Sequence, residues 1–139
     1  MNKQIALSIE QMKHLVSLGI DTSNASLCWV KEPNSGERSL GIHDEYCYEM
    51  GCLEPIPAFT LQDLIELMPS SIQLSNAVYN LSIFPNNLNL ITYEKNTIVC
   101  LFSKKCNSLI DACIDMLSKL IENGYLNQKA NNHDNRNEI

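Results

Sequence analysis

The sequence predicts an α+β fold: an antiparallel sheet of about five strands with three helices packed mainly on one face, in the order α-β-β-α-β-β-β-α. Three observations lead there. Apolar residues recur at helical spacing in three separated stretches, each with a start or stop signal. Short apolar or alternating runs fill the intervals between them. Turns of only a few residues join neighbouring runs, which makes the strand pairs antiparallel. No internal repeat is present, and residues 1–126 are expected to form a single domain followed by a polar, disordered tail over 127–139.

The first helix is read in "SIEQMKHLVSLGI". Ser8 and Gln11 make an S-x-x-Q capping box, and Ile9, Met12, Leu15 and Val16 form the apolar stripe. Gly19 suits the left-handed position after the helix, with Ile20 folding back on the last turn.

"ASLCWVKEPNSGERSLGIH" then reads as a hairpin turning at proline, asparagine, serine and glycine. If Glu32 faces Glu37, Leu27 faces Ile42 and Trp29 faces Leu40, so all four apolar side chains share the face expected to be buried. Cys28 and His43 fall together on the opposite face as diagonal neighbours, about 7–8 Å apart between backbones.

Beyond the loop "HDEYCYEMGC", Pro55 and Pro57 hold "LEPIPA" extended. "FTLQDLIELMP" is the second helix, capped by Thr60 with Asp63 three residues later, stapled by Phe59 on Leu64 and stopped at Pro69. Within 71–103, "VYNLSIF", "LNLITY" and "TIVCLF" read as strands, and the last, apolar throughout, as the most buried. "NSLIDACIDMLSKLIENGYL" is the longest helix, capped by Asn107 or Ser108 and ended by Gly124. Its stripe is Leu109, Ile110, Cys113, Leu117, Leu120 and Ile121.

A chain of 139 residues, 45% hydrophobic and 19% charged, is long enough to bury a core and fits a soluble globule. Glu10, Gln11 and Lys13 interrupt the first apolar stretch, so no signal peptide is read there. No run approaches the roughly 20 apolar residues a membrane span needs. The expectation is a cytoplasmic protein whose six cysteines are free thiols rather than three disulfides.

The net charge of −6 is unevenly placed. Residues 32–66 carry eight acids against the single base Arg38, a net −7, and the other 104 residues carry a net +1. Such a segment disfavours nucleic acid and anionic membrane and favours a basic partner.

The most chemical stretch is His43–Cys52, with one histidine, two cysteines and three carboxylates. Cys28, His43, Cys47 and Cys52 make a Cys3His set of zinc-type ligands, but the spacing is looser than that of zinc knuckles. A redox pair is less favoured, because Cys47 and Cys52 lack the CxxC arrangement. Cys100 and Cys113 sit in apolar patterns and read as small buried hydrophobes. Cys106, beside Lys104 and Lys105 and just before a helix, is the best candidate for a reactive thiol, although no partner base is identifiable. His14 falls on the polar side of its helix and His133 in the tail. The five glycines are isolated, so no phosphate-binding loop is read, and neither G-x-S-x-G nor H-E-x-x-H occurs.

Three stretches, "SIEQMKHLVSLGIDTSNASLCWV", "FTLQDLIELMP" and "DACIDMLSKLIENGYL", together resemble a group of uncharacterised small proteins of gut Bacteroidales and of their phages and integrated elements. The matching residues are caps and core positions, so the resemblance implies a shared fold and an accessory role on a mobile element, with no activity, cofactor or catalytic residue attached.

The functional expectation is a non-catalytic interaction protein without a cofactor. It would bind a basic protein through the loop carboxylates Asp44, Glu45, Glu49 and Glu54, or associate with a second copy of itself. A zinc-stabilised module using Cys28, His43, Cys47 and Cys52 is the first alternative, and a small thiol-dependent enzyme the second.

Overall fold

The structure, a computed structural model, describes residues 4–31, 35–42, 53–85, 88–96 and 99–126, with Leu53 and Glu54 described by their backbone alone. Among these residues the fold is α+β, in the order α-βββ-α-ββββ-α. The helices are α1 (Ile9–Ser17), α2 (Leu61–Leu67) and α3 (Leu109–Glu122). The strands are β1 (Leu27–Lys31), β2 (Arg38–Ile42), β3 (Leu53–Ala58), β4 (Ser71–Leu74), β5 (Ala77–Phe84), β6 (Leu90–Lys95) and β7 (Val99–Lys105). They form two antiparallel sheets, ordered β2-β1-β3 and β4-β5-β6-β7, rather than the single five-stranded sheet expected. The chain divides into two compact units, Met1–Asp63 and Leu64–Ile139.

In the first unit α1 begins and ends as its sequence dictates. Ser8 Oγ accepts from Gln11 N–H at 3.2 Å while Gln11 Oε1 accepts from Ser8 N–H at 2.9 Å. Two of the orphan donors at the helix start are thus satisfied. Gly19 takes φ +89° and Ile20 N–H returns to the Leu15 carbonyl at 3.2 Å, closing the last turn. Met12 and Leu15 are buried, but Val16 is 57% exposed and stands outside the buried stripe.

The β1–β2 register is the one the hairpin pattern predicts, with Leu27 opposite Ile42 and Trp29 opposite Leu40. The burial is not. Ile42 is 70% exposed, Leu27, Trp29 and Leu40 are half-buried, and Cys28, on the other face, is fully buried. Alternation along a strand fixes which residues share a face, but the elements packed on the sheet decide which face is covered.

The strand absent from the expected sheet is β3. Two prolines argue against a central strand, and β3 is an edge, paired only with β1. Lys31 pairs with Leu53 and Trp29 with Ile56, so Glu54 and Pro55 together oppose Val30 in a bulge. Pro55 therefore sits where the ladder is already broken.

In the second unit β4 is the other unexpected strand. It joins β5 through Ser75 and Asn76, with Leu74 opposite Ala77 and Ser75 at φ +43°. Asn96 reverses the chain between β6 and β7 at φ +57°, a conformation asparagine tolerates better than most residues.

α3 packs on β6 and β7. Its cap is Ser108, whose Oγ accepts from Asp111 N–H at 3.1 Å. It ends as read at Gly124, φ +79°, with Tyr125 N–H bonded to the Leu120 carbonyl at 2.8 Å. Ile110, Cys113, Leu117 and Leu120 of the expected stripe are buried, joined by Ala112, Ile114 and Met116, while Leu109 and Ile121 are half-buried.

The most buried strand is β6, not "TIVCLF". Ile91, Thr92 and Tyr93 are all buried, whereas β7 starts with an exposed Cys100 and a Val99 that is 50% exposed. The cause is position: β6 has a neighbour on each side, and β7 is an edge. Tyr93 donates its phenol to the Pro69 carbonyl at 2.6 Å, and burial pushes its pKa above the ordinary tyrosine value. Thr92, in register between Ser82 and Ser103, has its hydroxyl buried with no hydrogen-bond partner among the described residues. Such an orphan costs about 1–3 kcal/mol.

Leu117 is fully buried at the centre of the α3 stripe. Leu117→Ala is expected to lower the unfolding free energy by about 2–5 kcal/mol in urea titration, against near-neutrality for the same change at the exposed Val16.

Candidate functional site

The partner-binding candidates Asp44, Glu45 and Glu49 and the zinc candidates His43, Cys47 and Cys52 lie outside the described residues. Glu54 is described by backbone alone, in the β3 bulge. Cys28 is the one zinc candidate with a described side chain. It sits on the central strand of its sheet, between Gly41 and Pro57, with Sγ 3.8 Å from the Ile42 carbonyl. The thiol therefore lies beside the residue that precedes His43, on the face the hairpin register assigns to it.

One acid of the 32–66 segment has a clear structural task. Asp63, 8% exposed, accepts from Ser26 N–H at 2.9 Å, Ser26 Oγ–H at 2.6 Å and Thr60 N–H at 2.9 Å. Thr60 Oγ1 accepts from Asp63 N–H at 3.1 Å, completing a reciprocal cap on α2. Burial raises the carboxyl's pKa, but the hydrogen bonds from Ser26 and Thr60 outweigh it and hold the pKa below the usual carboxylate value. The Thr60 cap is legible in "TLQD"; the tie to Ser26, 37 residues away, has no local signal.

The thiol singled out by sequence, Cys106, meets a carboxylate of α3. Cys106 Sγ lies 3.1 Å from Asp115 Oδ2. Partial burial, the hydrogen bond to Asp115 and the charges of Asp115 and Asp111 push the thiol up to about 11, and Lys104 only partly opposes them. The expected help from Lys104, Lys105 and the helix start is outweighed by burial and by Asp115 and Asp111 of α3. Cys113 is buried as read, its thiol pushed up by burial to about 12, whereas Cys100 is exposed rather than buried. None of the four described cysteines forms a disulfide.

Among the described residues, clefts open on the first unit. One of about 160 Å³ is lined by Met12, Lys13, Val16, Thr22, Ile56 and Pro57. Another, of about 330 Å³, is lined by Gln4, Ile5, Ala6, Ser8, Trp29 and Leu40, and its Trp29 indole N–H donates to the Leu7 carbonyl at 2.9 Å. Neither lining includes a carboxylate, thiol or imidazole that could act as acid, base or nucleophile. Among the described residues no group of three or more His, Cys, Asp or Glu side chains is placed to hold a metal ion, and no helix is long and apolar enough to cross a membrane. No protein-family model, curated protein or solved structure matches the chain.

Two outcomes test this chemistry. Asp63→Asn should cost about 0.5–2 kcal/mol at pH 7, since an amide offers one acceptor oxygen where a carboxylate offers two. With the folded pKa lowered, the carboxylate's contribution is fully present above the unfolded value of about 3.9 and is lost as pH falls through the folded one. Denaturation curves of the two proteins should converge below about pH 4; a gap that stays constant with pH would mean that charge is not the cause. For Cys106, alkylation followed by peptide mapping should accelerate only toward pH 11, and Asp115→Asn should move that rise to lower pH.

Proposed function

We propose that the protein is a small cytoplasmic interaction or accessory protein without catalytic activity. It engages a basic protein through the acidic 32–66 segment, or associates with a second copy of itself elsewhere. The observation that carries this reading is the distribution of charge, net −7 in 35 residues against net +1 in the remaining 104. Like charges gathered in one stretch repel and add little to folding, but they steer a partner of opposite sign. Asp63 is committed to the α2 cap, so the acids Asp44, Glu45, Glu49 and Glu54 are the proposed contacts.

Catalysis has less support. The best-placed nucleophile in the sequence, Cys106, has its thiol pushed up to about 11 by burial and by Asp115 and Asp111, and neither described cleft is lined by a carboxylate, thiol or imidazole. Nucleic acid and anionic membrane suit this charge poorly. The resemblance to mobile-element proteins of gut Bacteroidales agrees with an accessory role.

A zinc-stabilised module built on Cys28, His43, Cys47 and Cys52 is the second reading. One observation favours it: the Cys28 thiol lies 3.8 Å from the Ile42 carbonyl, immediately before His43. Elemental analysis separates the two readings. The interaction reading expects substoichiometric zinc and six thiols reactive after denaturation. One zinc per chain, lost together with stability on chelation, supports the module.

For the acidic segment the variant is Asp44→Asn, Glu45→Gln and Glu49→Gln combined, compared with the parent at equal stability in capture from cell lysate. The parent should retain basic proteins whose recovery falls as salt is raised, and the triple variant should lose them. Equal recovery with equal salt dependence would reduce the segment to a solubility device.

A further inference from the structure

We draw no further inference here: the strongest candidate, the exposed apolar surface of the three-stranded unit where Ile5, Trp29 and Leu40 line a cleft and Ile42 lies two residues further along β2, carries nothing because nothing in the structure shows what covers it.

Discussion

Asp63 receives three hydrogen bonds from two segments far apart in sequence, and so fastens the residue before β1 to the residue before α2. The β1–β3 pairing that follows needs this. It is a long-range pairing, so its loop-closure entropy is lost before the ladder returns any energy. The ladder itself is short and is broken by the bulge at Glu54 and Pro55. A slip of one residue would turn Cys28 to the open face and Trp29 to the covered one. With Ser26 and Thr60 held on one carboxylate, Leu27 is delivered opposite Ala58 and the slip is closed off. The same bonds stabilise the charged form of Asp63, so the clamp is strongest when the group is ionised.

Local rules were readable wherever one short stretch carries the whole signal. The Ser8–Gln11 and Thr60–Asp63 boxes, the Gly19 and Gly124 terminations and the β1–β2 register are each set by residues within one element or one hairpin. The missed strands failed for opposite reasons. β3 carries two prolines, which weigh against a strand unless its edge position is already known. β4 is four residues long and turns through Ser75 and Asn76, without the glycine that marks most two-residue hairpins. Its alternation of Ile72 and Leu74 with Ser71 and Gln73 was the available signal.

Burial was less readable than pairing, because it depends on neighbours supplied by distant sequence. "TIVCLF" is apolar throughout, yet its strand is an edge with Val99 and Cys100 exposed; the covered strand is β6, which includes Thr92. Hydrophobicity thus located the strand and misplaced it in the sheet. Cys106 failed in a related way. Its sequence neighbours are lysines, but the group that touches its sulfur is Asp115, nine residues on and two turns along α3. Of the proposed site, the charge asymmetry is legible in the sequence. Of its metal alternative only Cys28 has a described side chain, and it is fully buried on the central strand of its sheet.

These carboxylates differ in what their charge can do. Asp63 spends its charge internally: three short donors surround it, and its energy is tied to the fold and weakly screened by salt. Asp115 spends part of its charge on Cys106, where it helps push the thiol up to about 11. Hydrogen-bond dipoles reshape the local field of such a charge but leave its net charge in place, so the gathering of several charges sets the long-range field. Long-range attraction needs like charges gathered with few bases among them. The 32–66 segment has that composition, with Arg38 its single cation. At physiological ionic strength the field of such a segment fades within about 8 Å, so it can accelerate and orient encounter, while lasting affinity needs contact. A charge-only surface would therefore give fast, salt-sensitive and short-lived complexes. That kinetic character, rather than tight binding, is the physical content of the acidic reading.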